Sequence, residues 1–289
     1  MSLTIKTVVL TAVAAALLIV PGGRAGFAQA PSMTTLRLLH WNTHHGGRRT
    51  DGVYDPAGFV TWVAKANPDI ITLNEVDSTA QATALLDGLK AKLPGRQWEH
   101  YYITGIMIVS RLPIAATSKC LVNASANRHA IHIGVLVNGL PLNVWNAHLA
   151  LDSSAVRTAE TRALQACEQL RPEARIAAGD YNMQPGSAEY KSMTEAHVDA
   201  WPAAKAIGKA LNYSGNCDGC TRNSRIDYVF TSKGASLLKL ASAEIFDTRD
   251  ANGVMPSDHK PLLVVYDLVP DAGTLSAVQN LRLVPSEGP

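Results

Sequence analysis

Asp227 and His259 have the residue types of a working carboxylate–imidazole pair. A carboxylate on one ring nitrogen fixes the tautomer and favours the protonated ring, so the other nitrogen can take a proton from an attacking water. The two residues lie in Arg225-Ile226-Asp227-Tyr228-Val229 and Ser257-Asp258-His259-Lys260-Pro261. Four more segments share their layout: Leu39-His40-Trp41-Asn42-Thr43-His44-His45, Pro68-Asp69-Ile70-Ile71-Thr72-Leu73-Asn74-Glu75, Asn143-Val144-Trp145-Asn146-Ala147-His148 and Ala178-Gly179-Asp180-Tyr181-Asn182. In each, an apolar, strand-like run ends at one or two polar residues, the way α/β enzymes set reactive groups on the rim of a sheet. One such segment would mean little. Six in one chain imply metal-assisted hydrolysis of a phosphoester.

Each residue also has a plainer reading. Mg²⁺ takes hard oxygen ligands, usually one or two carboxylates, and keeps several waters. Glu75 with the Asn42 carboxamide meets that need, with Mn²⁺ or Ca²⁺ as substitutes; singly, Glu75 is a solvated loop acid and Asn42 a turn residue. Gly179 permits a tight exit from a strand. Asp180 and Asn182, two apart, can point to one side, as base or ligand and as amide donor to a charged transition state. The alternative there is an Asx-turn. Asp258 is available to the metal or the water, and His148 can donate to a phosphoryl oxygen. An isolated His259 would be a capping or packing histidine. His129 and His132 read as surface or structural.

These residues need strands behind them. Strand patterns cover residues 36–41, 70–73, 106–110, 131–137, 142–146, 175–178, 226–231 and 262–268, and Asn138-Gly139 is a hairpin turn signal. Helical spacing covers 55–66, 80–93 (stopped by Pro94-Gly95) and 154–170. Strands alternate with helices, yet hairpins also occur. The pattern predicts mixed sheets with helices outside, not a purely parallel doubly wound sheet.

The chain has 289 residues. Residues 1–30 carry Lys6, a short apolar run from Val8 to Val20, and Ala28-Gln29-Ala30. That is the layout of a secretory signal peptide, cleaved after Ala28 or Ala30, and too short for a comfortable membrane span; an uncleaved anchor is the alternative. Residues 31–270 then form one large domain, and 271–289 a loosely held tail. Removing Lys6 and Arg24 lowers Lys+Arg from 26 to 24, equal to the 24 Asp+Glu. A neutral chain argues against tracking long stretches of nucleic acid, so basic surface must be local, with Arg48-Arg49 and Arg128 as candidates. Four cysteines in an exported chain suggest disulfides and allow three pairings. Cys217–Cys220 and Cys120–Cys167 are favoured; a zinc site or redox pair is the alternative for the C-x-x-C.

In this order the six segments resemble the endonuclease/exonuclease/phosphatase superfamily, from about Leu36 to Leu268. Ile106-Met107-Ile108-Val109-Ser110-Arg111-Leu112-Pro113-Ile114 is similar to the family's strand ending in S-R-x-P-I, and Asn42-Thr43-His44-His45-Gly46 resembles an exported bacterial branch. The resemblance implies an α/β four-layer sandwich of two packed mixed β-sheets flanked by helices. It implies Asn42 and Glu75 as metal ligands with Asp258 as a metal-side carboxylate, His148 as phosphate-binding, and Asp180 with Asn182 orienting nucleophile and phosphate. It also implies Asp227–His259 as the dyad and Arg128 as a phosphate contact. Asn74 replaces the family's usual Gln, and residues 95–105 lack an obvious Glu for His148, with Tyr101-Tyr102 there instead. The expected enzyme is a Mg²⁺-dependent nuclease-type phosphodiesterase in which His259 is the base and Asp180 helps hold the water. Its partner is a nucleic acid or other phosphodiester, with no stable protein partner and no transmembrane anchor after leader removal. The alternatives are a phospholipase C or lipid phosphatase, and a non-catalytic binding module.

Overall fold

The computed structural model describes residues 33–269. The expected leader and the expected tail both lie outside the described residues.

Two mixed sheets carry the fold. Numbered in chain order, one sheet runs β10 (Ala210–Leu211), β12 (Leu238–Ile245), β13 (Leu262–Leu268), β1 (Thr35–Asn42), β2 (Ile70–Val76), β4 (Gly105–Ser110), β3 (Glu99–Ile103). The other runs β5 (Ile114–Asn123), β6 (Arg128–Val137), β7 (Leu140–His148), β8 (Ala174–Asp180), β11 (Asp227–Ser232), β9 (His197–Asp199). The helices are α1 (His44–Gly47), α2 (Pro56–Ala66), α3 (Thr79–Lys92), α4 (Ser154–Gln169), α5 (Ala188–Ala196) and α6 (Ala200–Ala206). β1 pairs parallel with β2, and β7 with β8; most other pairs are antiparallel.

Period-2 alternation along each strand sorts side chains into layers. On β1, Leu36 and Leu38 face the second sheet, while Leu39 and Trp41 face the helices. The inter-sheet core joins Leu36, Leu38, Ile70 and Ile108 to Ile131, Val144, Ile176 and Val229. Outside the first sheet, Phe59, Val63, Leu85 and Leu89 of α2 and α3 pack on Trp41, Leu73 and Val109. Outside the second, Leu164 and Met193 of α4 and α5 pack on Trp145, Ala177 and Phe230. This is the expected sandwich: helix, sheet, sheet, helix. Truncating a fully buried core residue such as Ile176 to alanine would cost roughly 2–5 kcal/mol.

Local chemistry sets the helix ends. Asp55, Ser78 and Ser153 cap α2, α3 and α4, each accepting a backbone N–H with its side-chain oxygen. Pro56 opens α2, where its missing N–H costs nothing. Asn138 and Gly139 both have positive φ (51° and 84°), as a two-residue hairpin between β6 and β7 requires. Both favoured disulfides form, Cys120–Cys167 and Cys217–Cys220. Sequence patterning misses β3, β5, β9, β10, β12 and the short helices. β5 alternates half-buried with exposed residues along most of its length, and β12 carries a bulge between Leu240 and Ser242. Neither presents a continuous apolar face.

Candidate active site

The inward-facing columns turn polar at one end. On β1, Leu36 and Leu38 are followed by His40 and Asn42; on β7, Leu142 and Val144 by Asn146 and His148; on β8, Ile176 and Ala178 by Asp180. Register then brings the columns together. His148 stands opposite Asp180, and Asp180 opposite Asp227. Asn42 stands opposite Asn74.

Glu75 reaches this face by breaking the alternation. In a regular strand it would point with Leu73 toward the helices. A register shift between Asn74 and Val76 marks a bulge, and Glu75 sits there at φ 58°. The bulge re-aims its side chain inward. A left-handed non-glycine residue costs about 1–2 kcal/mol, so the surrounding contacts must hold it. Glu75 Oε1 accepts from Asn42 Nδ2 at 2.9 Å, and Asp180 Oδ2 accepts from the same amide at 3.0 Å. Asn42 thus bridges the two acids and the two sheets.

Asp227 sits under three donors. His259 Nδ1 lies 2.8 Å from Oδ2, Thr221 Oγ1 donates to Oδ2 at 2.5 Å, and His40 Nε2 lies 3.1 Å from Oδ1. His40 Nδ1 pairs with the Thr72 hydroxyl at 3.0 Å. The His259 main chain is fixed as well. Its N–H donates to Ser257 Oγ at 3.1 Å, its carbonyl accepts from Trp41 Nε1 at 2.8 Å, and Ser257 Oγ donates to the Asn42 carbonyl at 2.7 Å.

These contacts set the protonation states. Burial alone would push Asp227 up, but the charge and hydrogen bond of His259, helped by His40, hold it well below the usual carboxylate range. Burial opposes charge on His259, yet Asp227, with Asp180 and Asp258, raises it to about 9. Asp180 is raised to about 7, first by burial and then by the Asp227 charge; His259, the Asn182 N–H and the Asn42 amide oppose the rise. His148 is lowered to about 4 by burial, against the pull of Glu75. His259 therefore carries a proton at neutral pH. In the metal-free site Asp180 lies near 7. On His259 the Asp227 charge in a dry site outweighs desolvation of the imidazolium.

Other expected residues divide. Acid and imidazole donors within 4.8 Å of one another form two groups that share Asp180: Glu75–His148–Asp180 and Asp180–Asp227–His259. Asp258 joins neither. It pairs with Arg222 at 2.7 Å, and its Oδ1 lies 4.0 Å from His259 Nε2. Asn182 closes the Asx-turn its alternative reading described, with its N–H on Asp180 Oδ1 at 3.0 Å and its Nδ2 on the Leu149 carbonyl at 3.0 Å. Arg128 donates to the His148 carbonyl at 2.7 Å. With Thr104, Asn127, His129 and His148 it lines a polar cavity of about 240 Å³. Tyr101 and Tyr102 pack against the two cores instead of pairing with His148. The Arg48-Arg49 patch is weakened, because Arg49 lies within 4 Å of Asp51, Asp55 and Asp250.

Three residues given no role by the sequence pattern contact the candidate site: His40, Thr221 and Asn74. His40 had a usable signal, since it lies two residues before Asn42 and so on the same face. Asn74 accepts the Asp180 N–H at 2.6 Å and donates to Asn146 Oδ1 at 3.0 Å. Asn146 Nδ2 in turn donates to the carbonyls of Leu73 and Met107. Thr221 is six residues from Asp227 through an irregular loop and left no pattern.

Glu75 and Asp180 carboxylates around a carboxamide are a hard-oxygen donor set, which fits Mg²⁺ or a similar divalent cation. Asn42 would have to turn its carboxamide to present Oδ1, which now accepts the His44 N–H at 3.0 Å.

A buried dyad, paired acids and bridging amides at the strand ends of a two-sheet sandwich define a hydrolase of phosphoester type. The endonuclease/exonuclease/phosphatase family profile matches residues 39–259, and the chain belongs to this family, whose members hydrolyse phosphoester bonds. An endonuclease/exonuclease/phosphatase family protein from Bacteroides thetaiotaomicron has a similar fold, with TM-score 0.66 and 18% identity over 82% of this chain and 99% of that one. A mannosyl-6-phosphatase from the same organism aligns with TM-score 0.63 and 18% identity, covering 81% of this chain and 100% of its own. The human Nocturnin catalytic domain, solved with a bound sulfate anion, aligns at 0.62 and 19%, covering 82% and 95%. No curated protein sequence matches the chain significantly.

Proposed function

We propose that the protein is an exported, divalent-cation-dependent phosphodiesterase of nuclease type. One observation carries the reading. His259 Nε2 and Asp180 Oδ2 stand 3.8 Å apart, with Asp227 behind the imidazole and Glu75 beside the carboxylate. A water between them meets a base and a cationic donor together. Asp180, ionised near neutral pH, takes the water proton. The His259 imidazolium stabilises charge on the phosphoryl oxygens. His148, neutral, orients the phosphoryl group, with Arg128 at the adjoining cavity. Asn182 holds the Asp180 turn. Glu75 and the Asn42 carboxamide would hold the cation, whose charge offsets that of the phosphoester. Asp258, held by Arg222, adds negative charge beside His259. Export rests on the leader-like residues 1–30 and on two disulfides.

The neutralised Arg49 favours a second reading, hydrolysis of a small or lipid-borne phosphoester that needs no long basic groove. Metal-stripped protein, given Mg²⁺ or Mn²⁺ and tested on plasmid DNA, RNA, sphingomyelin and phosphoinositide in parallel, separates the two. Nucleic-acid cleavage absent from His259→Ala supports the nuclease. Headgroup or phosphate release with nucleic acid intact supports the alternative.

A further inference from the structure

The loop before β11 is closed into a compact turn. Cys217 and Cys220 are joined by a disulfide across Asp218-Gly219, with Cα atoms 5.3 Å apart. Gly219, at φ 69°, packs against the Trp201 indole, where a Cβ would lie 2.5 Å from Nε1. Trp201 Nε1 donates to Asp218 Oδ1 at 3.0 Å, and Asn216 Nδ2 donates to the Cys220 carbonyl at 2.9 Å. Directly after this turn comes Thr221, fully buried. Its hydroxyl donates to Asp227 Oδ2 at 2.5 Å and faces the Asp227 N–H at 3.2 Å. Its carbonyl accepts the Lys260 N–H at 2.6 Å. Arg222 adds two grips, its carbonyl taking Lys260 Nζ at 2.8 Å and its guanidinium holding Asp258 at 2.7 Å. The segment therefore touches Asp227 directly and both chain neighbours of His259.

We propose that Thr221 is a positioning residue for the reaction, anchored by the Cys217–Cys220 disulfide. The inference rests on the reading of Asp227–His259 as the working pair. A hydroxyl on Oδ2 restrains rotation of the carboxylate, so the oxygen that meets His259 Nδ1 stays aligned. The hydroxyl is neutral and leaves the charge of the pair unchanged, so its contribution is orientation. Misplacing a catalytic group by about 1 Å can cost on the order of 100-fold in rate.

The test compares Thr221→Val and Thr221→Ala, which remove the hydroxyl, with Thr221→Ser, which keeps it, and with Cys217→Ser/Cys220→Ser. Each variant is read by kcat and KM on a phosphodiester, by melting temperature, and by the downfield proton resonance of His259 Nδ1–H in metal-free protein. Removing the hydroxyl should lower kcat roughly tenfold or more, leave KM within about twofold, and shift or broaden the resonance. Thr221→Ser should restore both kcat and the resonance, and the double cysteine variant should fall between. Wild-type kcat and resonance in Thr221→Val or Thr221→Ala would overturn the proposal. So would a Thr221→Ser variant as impaired as Thr221→Val, which would assign the loss to the methyl group. Full kcat in the double cysteine variant would remove the disulfide as anchor. A wild-type protein that cleaves no phosphoester would sink the functional reading, while the resonance still decides the role of Thr221.

Discussion

His40 Nε2 lies 3.1 Å from Asp227 Oδ1, a bond from β1 across the sandwich to β11. It gives the Asp227 carboxylate an imidazole partner on each oxygen, since His259 Nδ1 holds Oδ2. His40→Phe would leave Asp227 Oδ1 and the Thr72 hydroxyl without this partner in a dry interior. The expected cost is about 1–3 kcal/mol of stability, read as a lower urea midpoint, together with a fall in kcat.

The pH profile of kcat/KM should be bell-shaped. A cation bound beside Asp180 holds its carboxyl below the value of about 7 it has in the metal-free site, so the acid limb should lie below 7, and activity should fall as His259 loses its proton. Asp180→Asn should lose most of its activity and any residue should lack the acid limb. A profile that only rises toward pH 10 would mean that His259 works as the neutral base.

Stability of the metal-free protein should decline in mild alkali. His259 is raised in the folded state from 6.5 to about 9, so the native state holds a proton the unfolded chain has released. Its contribution is complete below 6.5 and is lost as pH rises through 9, amounting to roughly 3 kcal/mol at 1.36 kcal/mol per unit. Asp227, held down in the folded state, acts oppositely and loses its contribution only in strong acid. His259→Gln should be the less stable protein at pH 6 and draw level with wild type near pH 10, measured by chemical denaturation.

Metal affinity should separate Glu75 from Asp258. Glu75 belongs with Asp180 and His148, whereas Asp258 is engaged by Arg222. By calorimetry, Glu75→Gln should weaken Mg²⁺ or Mn²⁺ binding by tenfold or more, roughly the loss of a ligating carboxylate. Asp258→Asn should change it far less. Equal losses would restore Asp258 to the ligand set.

What could be read from the sequence followed from periodicity. Leu36–Leu38 and Leu142–Val144 mark buried strands, and Asn42 and His148 stand out as polar residues at the ends of these apolar runs. Asp180, Asp227 and His259 were found because each closes or opens an apolar run. What stayed hidden depends on departures from regular geometry or on distance. Glu75 itself is marked by the end of its apolar run, but the bulge at φ 58° that turns it inward is shown by no alternation. Thr221 reaches Asp227 through a loop closed by a disulfide. Asp258 adjoins His259, and its ion pair with Arg222, which comes from a distant loop, follows from no local pattern. Protonation was equally hidden, since it follows from burial and three-dimensional neighbours.

The most direct measurement is hydrolysis of a simple phosphodiester by metal-stripped protein, with Mg²⁺ or Mn²⁺ restored, for wild type, Glu75→Ala and His259→Ala at matched folded fractions. Metal-dependent turnover is expected in wild type, with a loss of about 100-fold or more in each variant. Turnover in His259→Ala close to wild type would contradict it.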